Sequence, residues 1–316
     1  MRSAKFPDVI FDSPITRSAD SLGGCLNSYF LAVILGIIEG LTEFLPVSST
    51  AHLRICEALL GIDLGNGYWK MFSIVIQLGA ILCLPIYFRE RIAQFFSTFP
   101  KGKRGDRNLL THPVSLTLIA FVCTALPAFL LTKVIGKHLE NLYIMGASLV
   151  IGGIIMWVVD FLYDRQVIAA PGRRTEDMDQ MSLGQATWIG ICQIASAVFP
   201  GTSRSMSTIA AGQLGNMSRT AALEFSFFLS IPTMVVATGY ESFKTMFPHH
   251  GVPAIGAGPA NAEQWITLIT GFVVSFIVAY IVVAWFMRWV RQHGFVPFAI
   301  WRIAIGAFVL LWMVKR

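Results

Sequence analysis

Charge is what this chain has least of. Of 316 residues only 13% are Asp, Glu, Lys or Arg, while 55% are hydrophobic; a soluble domain carries about 25% charged residues. That deficit excludes a soluble globular protein and points to an integral membrane protein. A dinucleotide fingerprint, a P-loop and zinc-type Cys/His spacings are absent as well, so none of those motif-borne chemistries is expected. Cysteine is sparse: Cys25, Cys56, Cys83, Cys123 and Cys192 are scattered, odd in number and mostly within apolar segments. They read as buried free thiols rather than a disulfide framework. The net charge of +6 fits the positive-inside bias of a membrane protein, and no nucleic-acid partner is expected. Residues 1–24 lack a long apolar core and a clear cleavage site, so they read as a polar extension rather than a signal peptide. The expected organisation is therefore an extension over 1–27 and one integral membrane domain over 28–316.

What is there is a set of long apolar runs. A transmembrane helix needs about 20 apolar residues, and six stretches qualify: roughly 70–88, 112–134, 142–163, 218–240, 264–287 and 297–314. Four shorter pieces, about 28–45 and 48–60, then 183–199 and 203–214, form two pairs, each split at a proline, Pro46 or Pro200. Proline removes a helix hydrogen bond and disfavours helix in the residue before it. The spacing predicts two re-entrant helical hairpins in an all-α, polytopic fold. The stretch 89–107 carries Arg89, Arg91, Lys101, Lys103, Arg104 and Arg107 and is expected in the cytoplasm. The stretch 164–182, together with Arg288 and Arg291, falls on the same side by counting spans. The 243–263 loop, with Lys244 as its one fixed cation, falls outside. The first hairpin then enters from outside and the second from the cytoplasm.

That opposition prompts a search for repeats. A shift of 154 aligns "GIIEGLTEFLPVSST" (36–50) with "GICQIASAVFPGTSR" (190–204), pairing Pro46 with Pro200 and Ser48-Ser49 with Thr202-Ser203. "FSIVI" (72–76) resembles "FSFFL" (225–229) at a shift of 153. An inverted-topology repeat is expected, with halves of about 28–135 and 182–290 and broken helices meeting near the midplane.

The polar residues of the two broken pairs are the candidate site. Glu39 and Glu43 lie four apart, on one helix face; they could hold a divalent cation, or one could act as base while the other orients it. An acid within a membrane is a functional residue by default. After Pro46, the run Val47-Ser48-Ser49-Thr50 offers an N-cap and the free N–H groups of a new helix, a place for an anion and for phosphate above all. His52 lies three residues beyond Ser49, within reach as acid or base. In "FPGTSRSMSTI" (199–209), Arg204 opens the next helix. Arginine opposes the helix dipole there unless an anion sits beside it, and its fork grips phosphate bidentately. The plainer alternatives are an Arg204 ion pair with Glu39 or Glu43, and capping by Ser48 beside a solvated His52.

"EGLTEFLPVSSTAHL" (39–53) and "PGTSRSMSTI" (200–209) resemble the two signature regions of the undecaprenyl-diphosphate phosphatase family linked to bacitracin resistance. The likeness extends over roughly residues 28–315, including "FSIVIQLGAIL", "SRTAALEFSFFLSIP" and "FVPFAIWRIAIG". The resemblance implies an enzyme of the bacterial inner membrane that removes one phosphate from undecaprenyl diphosphate and returns the lipid carrier to peptidoglycan synthesis. It also implies aid from Mg²⁺ or Ca²⁺ and a site opening to the periplasmic side. Glu39, Glu43, Ser49, His52 and Arg204 match the family's functional positions, with Ser48, Thr50, Thr202 and Ser203 as phosphate neighbours and Glu39 with Glu43 as metal ligands. Ala51 and Met206 stand where the family often has glycine.

The expected mechanism has Arg204 and two helix N-termini holding the diphosphate. Ser49 attacks phosphorus or positions the water that does, and His52 shuttles the proton. Glu43 with Glu39 orients that machinery or binds the metal. The expected partners are the lipid substrate and the bilayer; a second copy of the chain, in a homodimer, is left open. Two rivals remain. A lipid carrier would use the same broken repeats but would release no phosphate, and an intramembrane protease would need only Ser49 and His52.

Overall fold

The computed structural model describes residues 28–131, 141–169, 172, 174–246 and 256–315. The extension over 1–27 and Cys25 lie outside the described residues. Eleven α-helices account for most of those described: α1 (Ser28–Thr42), α2 (Ser49–Leu59), α3 (Gly67–Tyr87), α4 (Arg89–Thr98), α5 (Pro113–Leu130), α6 (Leu142–Ala169), α7 (Leu183–Val198), α8 (Arg204–Leu214), α9 (Arg219–Met246), α10 (Ala262–Trp289) and α11 (Val296–Val314). No strand occurs among the described residues.

Six of these helices, α3, α5, α6, α9, α10 and α11, are long and apolar enough to cross a membrane. Their outward residues settle the class, because Phe129, Leu130, Ile151 and Ile281 are all more than half exposed. Side chains of that size on an outer surface belong in lipid. The chain is a multi-pass, all-α membrane protein. Cys56, Cys83, Cys123 and Cys192 are free thiols, as expected, but only Cys83 is buried and the other three are half-buried.

Local chemistry sets the helix ends. Asn66 caps α3 by accepting from the Tyr68 and Trp69 amides, so that helix begins before the apolar run does. Neither proline nor glycine stops α6 and α9 at the ends of their apolar runs, and both continue past the spans read from hydropathy. Ser182 and Gln185 form a reciprocal capping box at the start of α7. The Gln185 Nε2 also donates to the Gly215 carbonyl at 2.7 Å, which joins the start of α7 to the end of α8. The stretch 89–107 is not wholly a loop, because α4 occupies its first half.

The charged segments gather on one face. Arg91 on α4 bonds Asp177 at 2.5 Å, Asp179 at 2.8 Å and Glu224 at 3.0 Å. Burial alone would lower the Arg91 pKa, but Glu224, Asp177 and Asp179 outweigh it and hold the guanidinium above its ordinary value. Arg107 donates to the carbonyls of Met181 and Asp179. Asp160 accepts from Arg219 at 2.8 Å and from the Phe295 amide at 2.7 Å. The segments 89–107, 174–182 and 290–295 thus share a face, as the charge count required.

The two short pairs return to different places. The start and end of α7–α8 sit beside Thr175 on the charged face, through Thr175 N–H to Asn216 O and Ser218 N–H to Thr175 O. The α1–α2 pair leads instead to α3, whose first residue bonds Ala257 and whose Tyr68 hydroxyl donates to Gln264 O. Close approach holds α1 in place: a Cβ on Gly40 would lie 2.7 Å from the Ser275 carbonyl oxygen of α10, nearer than any larger residue permits.

Candidate active site

The site is built on two helix breaks with the same backbone signature. Ser48 (φ +75°) precedes α2 and Ser203 (φ +71°) precedes α8. Positive φ at a non-glycine residue costs on the order of 1–3 kcal/mol and persists only where its surroundings over-determine it. These two serines lie 155 apart, whereas the shift of 154 pairs Ser48 with Thr202 and Ser49 with Ser203. Gly201, two residues before Ser203, also has a positive φ of +92°. A Cβ there would lie 2.7 Å from the Met145 carbonyl oxygen.

Arg302 is what over-determines the breaks. Its side chain is fully buried. Nη1 donates to the Pro46 carbonyl at 3.2 Å, and Nη2 faces the carbonyls of Thr202 at 2.9 Å, Gly201 at 3.1 Å and Ser148 at 3.2 Å. One guanidinium from α11 therefore staples both breaks and α6. Carbonyls freed where the helices stop receive charge-assisted bonds.

The staple brings the polar residues of both pairs within bonding distance. Ser49 Oγ donates to Glu43 Oε2 at 2.5 Å, and Arg204 Nη2 donates to Glu43 Oε1 at 3.1 Å. Ser205 Oγ donates to the Leu45 carbonyl at 3.0 Å. A hydroxyl, a carboxylate and a guanidinium thus form one buried chain, although 161 residues separate Glu43 from Arg204. The ion pair anticipated as the plainer alternative is present, and it belongs to the same cluster as Ser49.

His52 is placed differently from the expectation. It shares α2 with Ser49 but its ring nitrogens bond elsewhere: Nδ1 to the Ser48 carbonyl at 2.8 Å, and Nε2 to Trp301 Nε1 at 2.9 Å. The partner of Ser49 is Glu43. Helical side chains lean toward the N-terminus, which sends Ser49 back across the break and His52 back onto the carbonyl four residues earlier. Ser48 makes no side-chain cap, contrary to the capping alternative, whereas Ser203 Oγ accepts from the Met206 amide at 3.3 Å and meets Ser205 Oγ at 3.1 Å. Thr202 contributes its carbonyl to Arg302. Thr50 is exposed, outside the buried cluster, while Ala51 and Met206 are buried.

Glu39 stands apart chemically. It is fully buried, and neither carboxylate oxygen has a hydrogen-bond partner. One helical turn on, the Glu43 amide donates to the Glu39 carbonyl at 2.9 Å. A buried carboxylate without partners is expensive unless a proton or a cation neutralises it. Among the described residues no group of three or more His, Cys, Asp or Glu could hold a metal by itself. The donors nevertheless suit a hard cation that completes its shell from phosphate and water, since Mg²⁺ is commonly held by one or two carboxylates plus substrate oxygens.

Arg302, Ser205 and Trp301 were not singled out from the sequence. An arginine within the apolar run 297–314 is the signal for Arg302, by the rule that intramembrane charge has a purpose. No comparable signal marks Trp301 in a chain with eight tryptophans.

Comparison with known proteins finds relatives over most of the chain. The relatives include the undecaprenyl-diphosphatase of Koribacter versatilis (strain Ellin345), 68% identical over 292 residues, which covers 92% of this chain and all of that protein. The undecaprenyl-diphosphatases of Caldanaerobacter subterraneus subsp. tengcongensis and Persephonella marina are each 38% identical over 285 residues. Those matches cover 90% and 89% of this chain, and 96% and 98% of the respective relatives. The family model described as bacitracin resistance protein BacA matches residues 32–308, and the chain belongs to that family.

Proposed function

We propose that this enzyme hydrolyses undecaprenyl diphosphate to undecaprenyl phosphate, recycling the lipid carrier for cell-wall synthesis and conferring bacitracin resistance. The observation that carries the reading is the buried Ser49–Glu43–Arg204 chain, a nucleophile, a base and a phosphate-binding cation in bonding contact. The names of its relatives support the substrate. A carrier needs no such chain, and a protease needs no Arg204.

In this mechanism the terminal phosphate lies against Arg204 and the free amides at the starts of α2 and α8. Ser49 Oγ attacks the terminal phosphorus as its proton passes to Glu43, and the bond to the bridging oxygen breaks. Undecaprenyl phosphate leaves. Water then hydrolyses the phosphoserine, with His52 Nε2 accepting its proton once Trp301 has released it. Phosphoryl transfer is mostly positioning and charge compensation, so Arg204 has the largest electrostatic share. Glu39, with Glu43, would hold a Mg²⁺ or Ca²⁺ ion, which when bound neutralises phosphate charge. Ser48, Thr202 and Ser203 line the strained breaks as phosphate neighbours, and Thr50 is assigned the rim.

Purified protein in detergent is expected to release phosphate from a prenyl diphosphate, and EDTA to suppress that release. Glu39→Gln should raise the Mg²⁺ concentration needed for half-maximal activity, with EDTA still suppressing release. Release of no phosphate would refute the reading; an unchanged Mg²⁺ requirement in Glu39→Gln would take the cation away from Glu39.

The proposed setting is the bacterial inner membrane, with the Arg91 face in the cytoplasm, the site open to the periplasm, and residues about 28–135 and 182–290 as inverted repeat halves. Cysteines introduced at Lys103 and Arg104 are expected to react with an impermeant maleimide only after the cells are opened. Labelling from outside intact spheroplasts would reverse the orientation.

A further inference from the structure

The contact between His52 and Trp301 restricts both residues. A backbone carbonyl only accepts and an indole N–H only donates. Because Nδ1 faces the Ser48 carbonyl and Nε2 faces the Trp301 indole, His52 is the neutral Nδ1–H tautomer with its basic lone pair on Nε2. The two rings lie nearly parallel, with an interplanar angle of 11° and centroids 6.2 Å apart. Trp301 is 50% exposed, so one side of the indole has room to move. Its backbone does not have that freedom, because the next residue is Arg302, fastened to Pro46 O, Gly201 O and Thr202 O. The donor to His52, 249 residues from it in sequence, is thus mounted beside the staple that shapes the Ser48 break.

We infer that Trp301 is the positioning residue for His52: its indole N–H holds the imidazole with Nε2 turned out of α2, and gives that nitrogen up to the water that hydrolyses the phosphoserine. The inference rests on the phosphatase reading for its kinetic consequence and on geometry for the rest. A ring held at one nitrogen only, by the Ser48 carbonyl, is free to tilt away, and Nε2 is then less often in the productive position. Water in place of the indole satisfies the lone pair without fixing its direction. Trp301 itself reaches neither Ser49 nor Arg204 through any bond to them; it acts through His52.

Two substitutions separate this role from packing. Trp301→Phe keeps an aromatic ring and removes the donor, while Trp301→Gln removes the ring and offers an amide N–H at a similar reach. A positioned general base contributes about 10²–10⁴-fold. Trp301→Phe is expected to lose part of that, lowering kcat about tenfold with KM changed less than about twofold. Trp301→Gln should recover most of kcat. A residue that merely packs predicts the opposite order, with Phe near the parent and Gln worse. In protein labelled with ¹⁵N-histidine, with His52→Gln used to assign the resonance, the His52 Nε2 signal should move in Trp301→Phe and return toward its parent position in Trp301→Gln. Full activity in Trp301→Phe, a loss confined to KM, or an unmoved Nε2 resonance would each overturn the assignment. The resonance reads the contact whether or not the parent hydrolyses a prenyl diphosphate, so failure of the phosphatase reading is distinguished by absent turnover in the unmutated protein.

Discussion

Ser49→Ala is expected to lower kcat for phosphate release by about 10⁴-fold or more, on the scale seen when a nucleophile is removed from a cluster that acts as a unit. Ser48→Ala should stay within about tenfold. The two hydroxyls are neighbours in sequence with different surroundings. Ser49 Oγ lies 2.5 Å from the Glu43 carboxylate, so attack on phosphorus and loss of its proton can proceed together. Ser48 makes no cap bond and contributes its carbonyl, which any residue able to adopt its φ of +75° supplies. Colorimetric phosphate release by the detergent-purified variants reads the difference, with thermal unfolding as the control for folding. If Ser49→Ala kept more than about a tenth of the activity, the nucleophile would be water and Ser49 its positioning group.

Arg204→Ala should cost on the order of 10²- to 10³-fold in kcat, as the loss of one preorganised contact to developing charge does. Arg204→Lys should restore only part, since an ammonium lacks the planar fork that grips two phosphate oxygens. Arg204 also neutralises Glu43 at 3.1 Å, and removing one partner of a buried pair costs about 3–5 kcal/mol of stability. The Ala variant is therefore expected to melt earlier as well as turn over slowly. Adding Glu43→Gln separates these effects. The double variant should regain stability, because no uncompensated carboxylate is left, but not activity. It should be little slower than the slower single variant, because both residues serve one step. Near-parent turnover in Arg204→Ala would remove Arg204 from the site, and strictly additive losses would place it and Glu43 in independent roles.

Both predictions start from residues visible in the sequence, but the chemistry connecting them was not. Glu43 and Arg204 were marked because charge is rare in this chain and expensive in a membrane. An Arg204 pair with Glu39 or with Glu43 is readable on the same ground, and only the fold selects Glu43. The three-residue spacing of Ser49 and His52 suggested a dyad, since such positions share a helix face. Shared spacing fixes neighbours along a helix surface, whereas a residue at the first position of a helix can also reach across the break before it. Ser49 does so. Identical prolines at 46 and 200 set the alignment at a shift of 154, while the residues with matching positive φ, Ser48 and Ser203, lie 155 apart.

What the sequence alone determined is what local physics controls. Apolar runs of sufficient length make six spanning helices because lipid leaves backbone groups no other partner. Two prolines stop the short helices because they cannot complete the hydrogen-bond ladder, and basic stretches gather on one face. The tertiary structure decided which polar side chains meet. It chose Glu43 over His52 as the partner of Ser49, placed Arg302 beneath both breaks and set Trp301 against His52. Those choices turn on side-chain direction and on the strained φ of two serines. Neither is encoded in hydropathy or spacing, and both emerge only when the helices and the breaks between them pack together.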